Sequence, residues 1–434
     1  MERQPVGKVF RQGRPADADA IFDVMVRAFK IDDSNPKYAK RKQDAAEHAG
    51  SYRVLELDGR VVSIVRILHH PMQVGRATII KGDVGEVSTH PDFQGRGLMT
   101  EFMHDCVAWM RDNGYDISRL GGLVHFYSRF GYVPFPRRTI EFPLKPVRGG
   151  GRVQAPEEVL PPVDPSPGAL RRYRAETDRP WRDWLSWHFN NRRTGAPAQG
   201  DEPPEPGPLA PSQPETEEQL RAEPWEFVYE RDGRIYGYLS AHENPEFEKY
   251  LQDKVGIGGA AFDLSEPRVA GVLVNHILHL ALARGADSVN SRLPFDPKVY
   301  DSLIADKVRF RPIELHASFA SNMIRVVNLE SLLRNILPEL HARLSAAGRS
   351  SWTGALGVTV GGESAYLRVM NGSVSLGEKG PTKASITLGQ ADMMRLVLGM
   401  CSAREALDPD TDPKLLATLD ILFPHQAAAC GLWG

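Results

Sequence analysis

Long apolar runs, clustered cysteines and an excess of charge of one sign are all missing from this chain of 434 residues. No stretch approaches the ~20 apolar residues that a membrane-spanning helix needs. The opening Met1-Glu2-Arg3-Gln4-Pro5 lacks the apolar core of a signal peptide, so a cytoplasmic location with no membrane partner is expected. The cysteines are Cys106, Cys401 and Cys430, too few and too scattered for a disulfide framework or a metal site, so reduced thiols and no metal are expected. A net charge of −2 argues against a nucleic-acid partner. With 41% hydrophobic and 25% charged residues the composition is that of an ordinary globular chain, long enough for roughly two to four domains.

What is present is concentrated in Val84-Gly85-Glu86-Val87-Ser88-Thr89-His90-Pro91-Asp92-Phe93-Gln94-Gly95-Arg96-Gly97-Leu98-Met99. A strand passes here through a basic, glycine-bearing turn into a helix. Gly95 and Gly97 let the backbone approach an anion, the N–H groups opening the helix point at it along the positive end of the helix dipole, and Arg96 adds charge. Leu98, Met99, Phe102, Met103, Cys106, Val107 and Met110 recur at helical spacing up to the stop signal Asn113-Gly114. The turn has no Gly-Lys-Ser/Thr, which excludes a Walker loop. A Rossmann fingerprint would need glycine in place of Thr100 and an acidic residue about 20 positions on.

The segment Gln94-Gly95-Arg96-Gly97-Leu98-Met99 resembles the Gln/Arg-x-x-Gly-x-Gly/Ala acetyl-CoA signature of the GNAT superfamily of N-acetyltransferases, with Met99 departing from its last position. That departure is similar to the enhanced intracellular survival (Eis) branch, acetyltransferases of aminoglycosides whose loops carry Arg-Gly-Leu-Leu here. The resemblance implies acetyl-CoA as co-substrate. Its pyrophosphate would lie at Gln94, Gly95, Arg96, Gly97, Leu98, Met99 and Thr100, and its pantetheine arm and thioester carbonyl at the backbone of Val87, Ser88 and Thr89.

Periodicity and turn chemistry describe a mixed α/β chain. Residues 1–146 read as one unit: a short strand at Val9, a helix with stripe Ile21, Val24, Met25, Ala28 and Phe29, and a hairpin turning at Asp58-Gly59. The glycine turn and its helix follow, then a strand from Ile117, a short helix near His125 and a last strand over 139–144. This order resembles the acetyltransferase fold. After a Pro/Gly-rich linker, 147–167, residues 168–325 repeat it with a hairpin at Asp232-Gly233 and a helix from Val269. The spacing from turn glycine to helix start is about 35 to 40 residues in both halves. The second copy carries Leu264-Ser265-Glu266-Pro267 at its strand-to-helix turn, where negative charge and a missing N–H would repel an anion, so it should not bind CoA. Its tract 194–224, rich in Pro, Gly and Glu, is expected to be a disordered, mobile insertion. Residues 326–434 read as a helix, a strand meander and further helices, which resemble the sterol-carrier-like domain that ends Eis proteins.

Acetyl transfer to an amine also needs an acid for the leaving thiolate and a base for the amine proton. His125-Phe126-Tyr127-Ser128-Arg129-Phe130-Gly131-Tyr132 resembles the family's Tyr-x-Arg-Phe-Gly-Tyr, which makes Tyr127 the acid. For the base, the resemblance implies the chain's terminal carboxylate, here Gly434, one glycine beyond Trp433, while Glu86 on the strand is the other candidate. Trp181, Trp184, Trp187 and Phe189 read as a core stripe on one helix. The expected reaction is direct attack by a primary amine of a small molecule, aminoglycoside-like or polyamine, or of a lysine side chain. The resemblance further implies a homo-oligomer, a hexamer as in Eis proteins. A non-catalytic lipid- or CoA-binding scaffold is the alternative.

Overall fold

The computed structural model describes residues 7–35, 38–149, 151–155, 158–209, 215–244, 254–348, 350–370 and 372–426. Among them, the strands gather into two seven-stranded sheets, a four-stranded sheet and a two-stranded ribbon. No helix among them is long and apolar enough to cross a membrane.

The first sheet is built from β1 (Lys8–Gln12), β2 (Tyr52–Leu57), β3 (Arg60–Val74), β4 (Ala77–Thr89), β5 (Ile117–Leu123) and β6 (Val133–Pro134), with α1 (Ala18–Phe29), α2 (Tyr38–Glu47), α3 (Leu98–Asp112) and α4 (Val124–Tyr127) around it. Asp58 and Gly59 take φ of 48° and 80°, the positive pair of a tight hairpin turn. α1 buries Ile21, Val24 and Met25 against Tyr52, Val54 and Ile64 on one face of the sheet. α3 buries Phe102, Met103 and Met110 against Val62, Val65 and Val84 on the other. Each such side chain contributes about 1.5–3 kcal/mol by leaving water. α2 has no counterpart in the sequence expectations, because its only buried residue is Ala45 and it shows no apolar stripe.

Continuing along the chain come β7 (Arg137–Pro143), the ribbon strands β8 (Arg148–Gly149) and β9 (Arg152–Val153), β10 (Ala169–Arg172), α5 (Ala175–Asn190), α6 (Glu217–Arg221), β11 (Trp225–Arg231), β12 (Arg234–Glu243) and β13 (Val255–Phe262). α7 (Val269–Ala283), β14 (Ser288–Ser291), α8 (Pro297–Ala305), β15 (Arg311–Leu315) and β16 (Ala320–Val326) follow. The third unit holds α9 (Leu329–Ala346), β17 (Gly354–Val360), β18 (Glu363–Met370), β19 (Ser373–Leu376), β20 (Ala384–Leu388), α10 (Gln390–Val397), α11 (Ala403–Ala406) and α12 (Pro413–Leu422).

The two large sheets exchange strands. The first runs β1-β2-β3-β4-β5-β16-β6 and the second β10-β11-β12-β13-β14-β7-β15. The strand expected to complete the first unit, over 139–144, therefore lies in the second sheet, between β14 and β15. Its alternating Ile140, Phe142 and Leu144 enter the second core. In return β16 pairs with β5 and β6 and brings Met323 into the α3 core. Neither large sheet is complete within one half of the sequence.

The tract expected to be a mobile insertion is tied down over its first part. Ala196 accepts from the Gln73 N–H at 2.8 Å and Pro197 bridges to Met72 on β3. The indole N–H groups of Trp181 and Trp187 donate to the carbonyls of Gly207 and Gly200, each at 2.7 Å. The composition correctly signals a lack of apolar side chains, but the backbone finds partners on β3 and on the α5 tryptophans. At the junction with the third unit, fully buried Asp116 accepts from the Ile80 N–H (2.7 Å), Ser331 (2.6 Å) and Asn335 (3.0 Å), which ties β4 to the first turns of α9. Burial pushes this carboxyl above the usual aspartate range.

The exchange predicts that the fragment 1–146 expressed alone aggregates and shows no cooperative thermal transition, because β5 has an open edge and β7 no sheet. A monodisperse, cooperatively melting fragment by size exclusion and circular dichroism would contradict it.

Candidate active site

β3 and β4 pair with one extra residue on β4. Arg66 faces Gly85 and Ile64 faces Ser88, so Glu86 and Val87 together oppose Val65. Glu86 takes φ 50°, a left-handed conformation that costs a side-chain-bearing residue about 1–2 kcal/mol. The bulge resets the alternation: Val84 and Val87 both face α3 although three apart, and the Glu86 side chain is turned to the α1 and α2 side. At the same place β4 leaves β5, since their parallel pairing ends at Val84 and Leu120. Beyond it, the β5-facing edge of β4 has no strand partner among the described residues. A Cβ at Gly85 would meet nothing within 4 Å, so the face of the sheet beside the bulge is open.

The glycine turn stands next to that edge. Gly95 and Gly97 have φ of 73° and 74°, and Gly97 is the N-cap of α3. Among the described residues the amides of residues 95–99 have no hydrogen-bond partner, whereas the Thr100 N–H is already donated to the Gly97 carbonyl at 3.0 Å. A Cβ at Gly95 or Gly97 would meet nothing within 4 Å. The result is a row of open donors at the positive end of a fifteen-residue helix. Gln94 braces the turn by donating to the Thr89 carbonyl at 2.9 Å. Arg96 lies exposed over the Phe93 ring, 5.0 Å from its centroid, and donates to the Asp92 carbonyl. His90 is buried, and its Nδ1 accepts from the Asp92 N–H at 3.3 Å. The Thr89 hydroxyl bonds Ser63 at 2.9 Å and the Ser88 hydroxyl donates to the Glu86 carbonyl at 3.2 Å, so both side chains serve the strand.

Tyr127 ends α4, its ring lying across Gly122, where an added Cβ would come within 2.3 Å of the ring. Phe126 packs edge-on at 4.9 Å. Burial pushes the phenol up to about 12, so it stays protonated across the neutral and mildly alkaline range. Tyr132, by contrast, is fully buried with its hydroxyl on Ser118 at 2.7 Å, and Gly131 takes φ 76° in the turn between them. The Glu86 carboxylate accepts from Arg41 at 3.1 Å and from the Tyr52 hydroxyl, with Arg66 at 3.8 Å. Burial and this carboxylate hold the Tyr52 phenol above its ordinary range. Tyr52 faces Arg66 because the β2–β3 pairing shifts by one residue between Leu55 and Glu56; the register set by Asp58-Gly59 alone would place Val65 there, so the pair was not legible in the sequence. Neither was Arg41, because α2 carries no pattern. Gly434 and Cys430 lie outside the described residues.

Residues 9–135 match the model of the GNAT acetyltransferase domain. No curated protein matches the chain. Similar solved structures span it end to end. A conserved protein of unknown function from Enterococcus faecalis V583 is 13% identical, with a TM-score of 0.63 over 96% of this chain and 97% of that one. A GCN5-related N-acetyltransferase from Kribbella flavida is 16% identical at 0.60, covering 98% and 97%. Eis1 from Mycobacterium abscessus is 16% identical at 0.55, covering 98% of both chains. At such identities the likeness is one of fold. Residues 9–135 are a GNAT acetyltransferase domain, which makes the chain an acyltransferase. Its fold from end to end is one it shares with Eis1.

The seat of Tyr127 gives a test. Gly122→Ala should displace the ring, lowering stability by about 1–3 kcal/mol and slowing acyl transfer at least ~tenfold. Gly121→Ala, whose Cβ would find only Asn322 at 3.8 Å, should leave both unchanged in denaturation and thiol-release assays.

Proposed function

We propose that the chain is an acetyl-CoA-dependent N-acetyltransferase of Eis type, in which the first domain transfers an acetyl group directly to a primary amine of a small molecule or a lysine side chain. The observation that carries this reading is the open amide row of residues 95–99 standing beside the unpaired edge of β4. The pyrophosphate of acetyl-CoA sits on those amides, with Gln94 and Thr100 bracing the turn and Arg96 swinging from Phe93 to a phosphate. The pantetheine arm pairs with the backbone of Val87, Ser88 and Thr89, and one of their N–H groups polarises the thioester carbonyl. Two seven-stranded sheets, each with a tight Asp-Gly hairpin, support a tandem GNAT-like layout whose second copy lacks the anion cradle. The third unit, a four-stranded sheet under α9, is taken as sterol-carrier-like, and assembly as a hexamer goes with the Eis type.

In the reaction the neutral amine attacks the thioester carbon, the C–S bond breaks as the N–C bond forms, Tyr127 passes its proton to the departing thiolate, and a base takes the proton from nitrogen. A phenol held near 12 remains protonated at working pH, so it is loaded to donate when the thiolate forms beside it. Both oxygens of Glu86 already accept hydrogen bonds from protein donors, which supports the Gly434 carboxylate as the base and gives Glu86 the role of an anion that attracts a cationic acceptor.

The test measures acetyl-CoA binding by calorimetry and free-thiol release over a panel of amines. Arg96→Glu should weaken binding at least ~tenfold. Tyr127→Phe should cut kcat by about 10²–10⁴-fold while leaving the acetyl-CoA Kd within about twofold. No acetyl-CoA binding by the wild type would refute the reading. The base is assigned by a second pair. Lengthening the C-terminus by two residues, which displaces the carboxylate, should lower kcat about 10²-fold or more. Glu86→Gln should raise KM for cationic amines and cost kcat less than ~tenfold, and the reverse pattern would make Glu86 the base.

A further inference from the structure

The second sheet keeps the geometry that opens the first. β12 and β13 pair Ser240 with Gly259 and Ala241 with Ile257, leaving Gly258 unopposed in a bulge. The parallel pairing of β13 with β14 runs from Val255 to Ile257 and stops there. From Gly258 onward the β14-facing edge of β13 has no strand partner among the described residues. As in the first sheet, bulge and splay fall within two residues of each other. A cavity of about 470 Å³ opens at this edge.

What could fill it is limited on every side. The helix side is closed, because twelve of the fifteen residues of α7 are buried, and Asn275 and His279 hold the Pro161 carbonyl at 3.0 and 2.8 Å. At the turn before α7, Glu266 is buried and paired with Arg231, so a pyrophosphate would meet a carboxylate where the first domain offers open amides. The cavity opens instead toward α5. Phe189, Tyr238, Ile257 and Leu293 give it apolar walls, and Ser186 and Asn190 add two uncharged polar groups. Of the arginines that line it, Arg182 pairs with Asp183 at 2.7 Å and Arg193 with Asp296 at 2.8 Å, while burial and the neighbouring Arg137 hold the Arg292 guanidinium below its ordinary range.

We propose that this cleft is a second binding site, for an extended ligand of secondary amides with an apolar side: a short peptide segment, or a pantetheine-type arm carrying no nucleotide. Such a ligand adds to the free edge of β13 as an extra strand, its amides meeting backbone donors and acceptors and its side groups meeting Phe189 and Leu293. Gly258 and Gly259 carry no side chains to obstruct the approach. The volume lies within the range of small-ligand pockets. The far wall, Gly195-Ala196-Pro197, is bonded to β3 of the first sheet through Gln73, so an occupied cleft rests directly against the catalytic domain.

The test is calorimetry on the full chain saturated with CoA, titrated separately with D-pantetheine and with N-acetyl-trialanine amide. At least one is expected to bind with a Kd below about 1 mM, and which one does so identifies the source of the amides. Ser186→Trp, which fills the cavity from α5, should weaken that binding at least tenfold. Asn190→Trp should do the same from the next turn, so that a folding defect in either variant, seen as a lowered thermal midpoint, does not remove the test. Absence of binding by both probes at millimolar concentration, or binding unchanged in a folded variant, overturns the proposal. Acetyl-CoA binding to the first domain is read in its own titration, so failure there is distinguishable from failure here.

Discussion

One surplus residue in β4 sets the geometry of the catalytic domain. Because Glu86 and Val87 together oppose Val65, β4 kinks away from β5, its pairing ends at Val84, and a strand edge in the middle of a sheet is left unpaired. An unpaired edge inside a sheet is ordinarily a defect. Here it stands beside a helix N-terminus whose first amides are also free among the described residues. The left-handed Glu86 that the bulge requires is held by Tyr52 and Arg41, with Arg66 close by. These contacts offset a backbone cost of about 1–2 kcal/mol, and they also pin the polar helix α2 over the same face of the sheet.

A cleft of this kind needs a rigid frame, and the strand exchange supplies it. The chain crosses from the first sheet to the second between β6 and β7 and returns between β15 and β16. Each sheet therefore takes strands from both halves of the sequence, and two chain crossings join them. Asp116 adds a third tie, from β4 to α9, and the tract at 194–198 a fourth, from the second unit to β3. The open edge of β4 is held between elements that cannot slide independently.

Features that depend on neighbouring residues were legible in the sequence. Both Asp-Gly hairpins, the stripe of α3 and the glycine turn follow from local φ preferences and side-chain period, and the structure carries them where expected. The stripe on α5 was legible as packing at Trp181, Trp184 and Phe189 but not at Trp187, which stands outside that core, and the second use of the indoles was illegible, since an N–H reaching Gly200 or Gly207 is a contact between distant segments. The exchange of β7 and β16 was illegible for a related reason: alternation in Ile140, Phe142 and Leu144 says that a strand has one buried face and nothing about which sheet receives it. Of the proposed site, the glycine turn and Tyr127 could be named from motifs. The bulge could not, because Gly85-Glu86-Val87 carries no residue that demands a positive φ at its centre.

The two clefts separate what the sheet provides from what the turn provides. Both sheets bulge and splay, so an open strand edge alone is a property of the framework and selects only for extended partners with amides. On the reading proposed above, affinity for a nucleotide thioester needs in addition the free amides at residues 95–99, over which Gly95 and Gly97, both at positive φ, leave no side chain. In the second half that turn carries Glu266 and Pro267, which substitute a buried carboxylate and a missing donor for the cradle. A phosphate there would meet a like charge at short range, set against the helix dipole. The edge persists without its anion partner, and so the ligands we propose for the two halves differ through the chemistry of a four-residue turn.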